Sequence, residues 1–191
     1  MVVVVGGHSR NIGKTSVICG IIGALPTWNW TAIKITPHPH SVREDRFLAA
    51  GAARAFLIQG AGMPSIPQLL AESENAIIES NSILRFLEPD ICAMVVDGTV
   101  PDFKPTALEF IGRANFLIVT SATSDAKIAW PQVPPSLLQD KPRFLAPPPR
   151  YKNAELIAAI SSVTRRPNLF RGANSLKTTE NSLEGTTLAH E

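Results

Sequence analysis

The chain has 191 residues, of which 45% are hydrophobic and 18% charged, and its formal net charge is +2. This composition fits one globular domain, and the small net charge with scattered basic residues does not favour a nucleic-acid-binding protein. No apolar run is close in length to a membrane-spanning helix, which needs about 18 residues. We expect a cytoplasmic protein, because the apolar start is short and no basic region precedes it. Cys19 and Cys92 each lie in an apolar run and indicate core residues in a reducing compartment.

Predicted strands and helices alternate along the chain. Four consecutive valines at 2–5 predict a strand that is buried on both faces. Apolar residues at helical spacing predict a helix over 14–25, which Pro26 ends. Further strands are predicted at 31–36, 53–60, 75–79, 91–97 and 115–121, with an edge strand at 143–149. Further helices are predicted at 45–52, 65–74, 82–88, 105–114 and 153–166.

This alternation predicts an α/β fold with three layers, in which a mostly parallel sheet carries helices on both faces. Residues 1–170 would form that domain. The segment 171–191 is rich in Ser, Thr, Asn and Glu, so we expect it to be a disordered tail.

The segment GGHSRNIGKTS at 6–16 has the character of a phosphate-binding loop. It lies between a predicted strand and a predicted helix, and a helix N-terminus presents N–H groups and partial positive charge to an anion. The usual spacing would place a glycine at position 8, where His8 stands; counted from Gly7, the spacer before Gly13 has five residues. Lys14 would neutralise phosphate charge and the Thr15 hydroxyl would bind Mg²⁺. The predicted nucleotide-contacting residues are Gly7, His8, Ser9, Arg10, Asn11, Ile12, Gly13, Lys14, Thr15 and Ser16.

Three carboxylates are candidates for the metal and for catalysis, because ligands of such sheets lie at the carboxyl ends of the strands. Glu79 ends one apolar strand and Asp97 ends another, so either can orient the attacking group or hold Mg²⁺. Asp45 follows the second predicted strand and is a further candidate metal ligand. An ordinary exposed carboxylate remains an alternative for Glu79, and the sequence does not decide among the three.

Three basic side chains lie in the second predicted strand or in the segment after it. Lys34 lies in an apolar strand and therefore needs a carboxylate or a phosphate as partner. His38 and His40 lie among prolines, where surface histidines are favoured over ligands of a substrate or metal.

Several segments resemble known protein families. The spacing G-x5-G-K-T resembles the loop of dethiobiotin synthetase and of the cobyric-acid-type amidotransferases, which share a class of P-loop proteins with the nickel-insertion GTPases of urease and hydrogenase. TAIKITPHPH at 31–40 and EDRFLAAGAARAFLI at 44–58 are similar to molybdopterin-guanine dinucleotide biosynthesis protein B. AIIESNS at 76–82 resembles the strand that these families place opposite the phosphate loop. The positions that match the second family are Lys34, His38, His40, Asp45 and Ala50-Gly51-Ala52, although the Asp45-to-Gly51 spacing is about two residues short of that family's pattern.

The resemblance covers residues 2 to 100 and implies a P-loop NTPase fold with Mg²⁺ and a nucleotide. It implies that GTP is favoured over ATP as the ligand and that hydrolysis is slow. It also implies a role in molybdenum cofactor assembly with a molybdopterin-processing partner enzyme, and a homodimer. Guanine-specific members of the class carry Asn-Lys-x-Asp after a late strand. Here SATSD follows that strand, so Asp125 can accept hydrogen bonds from guanine as the motif's aspartate does, although the Asn and Lys of the motif are missing. The alternatives are an ATP-dependent ligase or kinase like dethiobiotin synthetase, and a non-enzymatic adaptor.

Overall fold

The computed structural model describes residues 1–36, 45–59, 65–121 and 130–164. Within them, seven strands form one sheet in the order β3-β2-β4-β1-β5-β6-β7, and all neighbouring strands are parallel. The strands are β1 (Val2–Gly7), β2 (Trp30–Ile35), β3 (Arg54–Ile58), β4 (Asn75–Glu79), β5 (Ile91–Val96), β6 (Phe116–Val119) and β7 (Arg143–Leu145). The helices are α1 (Lys14–Ala24), α2 (Asp45–Ala49), α3 (Ile66–Ala71), α4 (Pro105–Phe110) and α5 (Ala154–Ser161).

The central strand β1 has a core on each of its two faces. Val2 and Val4 pack into a cluster that includes side chains of α3 and α4. Val3 and Val5 pack into a second cluster with side chains of α1, α2 and α5. Because successive side chains of a strand point to opposite faces, a run of four buried valines requires such a three-layer arrangement. The predicted three-layer α/β architecture is confirmed.

The register of the sheet brings the functional segments to one edge. Val5 pairs with Glu79 on β4, and Gly7 pairs with Val95 on β5. The loop that leaves β1 therefore emerges between the carboxyl ends of β4 and β5.

Most predicted elements are present, with changes at their ends. The predicted edge strand at 143–149 is β7, three residues long and paired with β6. The predicted helix at 82–88 is a 3₁₀ turn over Ser82–Arg85, and the one at 105–114 ends as an α-helix at Phe110 and continues as a 3₁₀ turn. In the described ranges, none of the helices has the length and apolarity needed to cross a membrane. The predicted tail at 171–191 lies outside the described residues.

Candidate nucleotide site

The loop between β1 and α1 turns sharply before the helix begins. Gly13 has φ +89° and Asn11 has φ +56°, both in the left-handed region. The buried hydroxyl of Thr120, just past the end of β6, donates to the carbonyl of Ile12 over 2.9 Å. These features set the direction of the chain so that α1 starts at Lys14. The N–H groups of the first turn of α1 have no acceptors within the helix and face the loop.

A three-residue network joins the first turn of α1 to the ends of β2 and β4. The Thr15 hydroxyl donates to Oε2 of Glu79 over 2.7 Å. Nζ of Lys34 lies 3.1 Å from Oε1 of Glu79 and donates to the Thr15 hydroxyl over 3.2 Å. Lys34 thus has the carboxylate partner that its position in an apolar strand requires, and Glu79 is buried, unlike an ordinary surface carboxylate.

Lys14 lies in a site with an excess of positive charge. Its ammonium group donates to the Ser9 carbonyl over 2.7 Å. Burial lowers the pKa of Lys14 to about 8, against the opposing effect of Glu79. Three further cations lower that pKa: Lys104, Lys34 and Arg10. An anion bound beside Lys14 would favour its charged form and offset the neighbouring cations.

Asn81 fastens the end of β1 to the segment after β4. The Gly7 N–H donates to Oδ1 of Asn81 over 2.8 Å, and Nδ2 of Asn81 donates to the Gly7 carbonyl over 3.0 Å. Asn81 was not among the predicted site residues. Its place two residues after Glu79 at a strand end was the available signal.

His8, which occupies the position of the usual glycine, ties the phosphate loop to the segment after β5. The Asp97 N–H donates to Nε2 of His8 over 3.1 Å, so Nδ1 carries the proton and donates to the Asp102 carbonyl over 2.8 Å. The ring is fully buried and packs on Phe103 and Trp130, with centroids 5.3 and 4.7 Å away. Burial lowers the pKa of His8, in keeping with the neutral ring.

Two more hydrogen bonds extend this connection. The Ser9 hydroxyl donates to Oδ2 of Asp102 over 2.7 Å, and the Lys104 N–H donates to the His8 carbonyl over 2.8 Å. The segment 97–104 is therefore bonded directly to the phosphate loop.

The remaining predicted site residues lie in different surroundings. Oδ1 of Asp97 accepts from both the N–H and the hydroxyl of Thr99, over 2.9 and 2.7 Å. Asp45 is exposed at the start of α2, and the following Arg46 donates to the Ser16 hydroxyl over 3.2 Å. The roles predicted for these residues and for the exposed Arg10 remain predictions.

Three predicted residues, Asp125, His38 and His40, lie outside the described residues. Within the described part of the chain, the side chains of His, Cys, Asp and Glu form no group of three that could hold a metal ion by itself.

Comparison with known proteins bears on the fold. A scan against protein-family models finds no match, and a search of the curated proteins finds none. Among solved structures, the chain is similar to HypB from Helicobacter pylori, determined in complex with nickel. The match has a TM-score of 0.54 and 15% sequence identity, and it covers 83% of this chain and 82% of that one. The chain has the P-loop NTPase fold. The resemblance to molybdopterin-guanine dinucleotide biosynthesis protein B remains a prediction.

Proposed function

We propose that the chain binds a nucleoside triphosphate with Mg²⁺ at the loop 8–15 and hydrolyses it slowly. The observation that carries this proposal is the network of Thr15, Glu79 and Lys34 at the start of α1. A hydroxyl and a carboxylate in contact offer the hard oxygen ligands that Mg²⁺ takes beside phosphates, and Lys14 and Lys34 offer charge to the phosphates themselves.

The residues divide the chemistry among them. The N–H groups of the loop and of α1 would bind phosphate oxygens, while Lys14 would stabilise the charge that develops on the transferred group. Thr15 and Glu79 would hold Mg²⁺, which neutralises phosphate charge when bound. Glu79 is favoured over Asp97 for this role because its carboxylate contacts Thr15, whereas the Asp97 carboxylate accepts two hydrogen bonds from Thr99. Asp45 remains a third candidate ligand.

The finer assignment rests on the sequence resemblance. We propose that GTP is the preferred nucleotide over ATP and that Asp125 contacts the base. We also propose a role in assembling molybdopterin guanine dinucleotide in the cytoplasm. A molybdopterin-processing enzyme and a second copy of the chain would be the partners. Bonding of the 97–104 segment to His8 and Ser9 supports nucleotide-dependent partner binding, because a change at the phosphate loop would move that segment directly.

A second candidate is an ATP-dependent ligase or kinase that transfers the terminal phosphate to a small acid. The position of Lys34 favours it, because the ammonium at the end of β2 lies 3.2 Å from the Thr15 hydroxyl and could also attract a carboxylate substrate. Phosphate release measured with and without a panel of small carboxylic acids separates the two. Turnover that depends on an acid supports the ligase, and low, acid-independent turnover supports the slow NTPase.

Thermal unfolding with GTP, ATP, GDP and ADP, each with and without Mg²⁺, tests the proposal. A ligand at 100 times its Kd adds about 2.7 kcal/mol to the free energy of unfolding. For a domain of this size, that corresponds to a rise in Tm of roughly 5–10 °C. We expect the triphosphates to gain stabilisation from Mg²⁺. If none of the nucleotides raises the Tm, the proposal is wrong.

A further inference from the structure

Tyr151 has an unusual backbone conformation between β7 and α5. Its φ is +51°, a region that bulky residues rarely adopt. The Tyr151 N–H donates to the Pro147 carbonyl over 3.0 Å, and Asn153 caps α5 two residues later by accepting from the Leu156 N–H over 2.7 Å. The strained residue is therefore held from both sides, and such strain is concentrated at functional positions.

Two glycines, one at the end of the phosphate loop and one in α1, make room for Tyr151. A Cβ atom on Gly13 would lie 2.7 Å from Cε1 of the Tyr151 ring, and one on Gly20 would lie 2.8 Å from the Tyr151 carbonyl oxygen. Gly13 immediately precedes α1 and Gly20 follows it by seven residues, about two helical turns, so both face the same side. The Tyr151 backbone thus lies beside the second turn of α1, and the ring of this half-buried residue extends to the loop that precedes the helix.

The direction of a bound nucleotide follows from the sheet order. The groups proposed for Mg²⁺ and the terminal phosphates lie on the β4 and β2 side of β1. The opposite side carries β5, β6 and β7. A polyphosphate chain with its terminal end near Glu79 would direct its nucleoside toward β6 and β7. Tyr151 lies there, and Gly13 has both the Tyr151 ring and Thr120 as neighbours.

We propose that the ring of Tyr151 forms one wall of a nucleoside subsite and stacks on the nucleotide base. This inference rests on the proposed function and adds the residue that would convert a phosphate site into a nucleotide site. Aromatic rings stack on every base, because each base has a flat π face. The subsite would therefore add affinity for nucleotides over simple polyphosphates, with little choice among bases from Tyr151 itself.

The test compares GDP with inorganic tripolyphosphate, both with Mg²⁺, by calorimetric titration of the full chain. Tyr151→Asn removes the ring but keeps a residue that tolerates the left-handed conformation. Tyr151→Phe keeps the ring and is the matched control. We expect Tyr151→Asn to weaken GDP binding roughly tenfold or more and to leave tripolyphosphate binding within twofold. We expect Tyr151→Phe to bind both as the original chain does.

The other outcomes overturn the inference in distinguishable ways. Equal weakening of GDP and tripolyphosphate by Tyr151→Asn would show that the ring only shapes the loop. No weakening of either would show that it does not touch the nucleoside. If the original chain binds GDP no more tightly than pyrophosphate, which has the same two phosphates, the subsite is refuted while the phosphate site stands. If it binds neither, the proposed function fails as well.

A second measurement needs no substitution. Tyr151 is the single tyrosine of the chain, so protein made with 3-fluorotyrosine gives one ¹⁹F resonance. Stacking of a base predicts that GDP shifts this resonance clearly more than tripolyphosphate does. Equal shifts from the two ligands would overturn the inference.

Discussion

Glu79→Gln removes a buried charge and little else. The Glu79 side chain is 6% exposed and lies 3.1 Å from Nζ of Lys34, whose side chain is 17% exposed. A glutamine of nearly the same size keeps an acceptor for the Thr15 hydroxyl. The Lys34 ammonium, however, loses the carboxylate that compensates its burial.

The cost can be bounded from the geometry. Removing one partner of a fully buried ion pair destabilises a protein by about 3–5 kcal/mol. Lys34 retains some contact with water, so we expect about 2 kcal/mol. This cost corresponds to a fall in Tm of roughly 4–8 °C.

Urea unfolding of four proteins measures this cost: the original chain, Glu79→Gln, Lys34→Met and the double variant. In the double variant no ammonium is left without its carboxylate, so it should be less destabilised than the sum of the single changes, by about 1 kcal/mol or more. Additive effects, or a Glu79→Gln variant as stable as the original chain, would refute the account of this network. The Glu79→Gln variant should also lose most of the increase in nucleotide affinity that Mg²⁺ gives.

Three further predictions concern charge and packing near the loop. Because the pKa of Lys14 in the free site is about 8, nucleotide affinity measured by titration should fall as the pH rises from 7 to 9.5, by up to tenfold per unit above 8. Burial lowers the pKa of His8, so as the pH falls the unfolded chain takes up a proton near pH 6.5, before the folded chain does. The free energy of unfolding should therefore decrease below about pH 6.5. The decrease should be smaller in His8→Gln. Gly20→Ala should lower the Tm because its Cβ would meet the Tyr151 carbonyl at 2.8 Å, whereas Gly23→Ala, with its nearest contact at 3.5 Å, should be neutral or stabilising.

Each of these predictions has a result that contradicts it. Equal affinity at pH 7 and 9.5 would mean that Lys14 does not titrate in the free site. The same acid sensitivity in His8→Gln as in the original chain would remove His8 as its source. Equal effects of alanine at 20 and at 23 would show that Tyr151 does not pack closely against α1.

The layer arrangement was predictable because its causes are local. The four valines of β1 have to be buried on both faces, and the spacing of Val17, Ile18, Ile21 and Ile22 gives α1 a side that faces the sheet. Lys34 was predicted to need an anionic partner from burial alone, and the structure supplies Glu79.

What the sequence did not reveal depends on contacts between distant residues. His8 was predicted as a nucleotide contact and as a departure from the usual spacing, but its bonds to Asp97 and Asp102 span about ninety positions and were not foreseen. Tyr151 carried no motif, and its relation to Gly13 arises because the segment after β7 folds back along α1. The contact of Glu79 with Thr15, on which we propose Glu79 rather than Asp97 as the metal ligand, likewise depends on the register of β1 with β4.

Titration of the original chain and of Lys14→Ala with Mg²⁺ and GTP tests the central claim most directly. The lysine is not required for folding on this account, because its burial disfavours the charged form, so Lys14→Ala should keep the Tm of the original chain. We predict measurable binding to the original chain and a loss of at least tenfold in affinity for the variant. Unchanged affinity in a folded Lys14→Ala protein would contradict nucleotide binding at this loop.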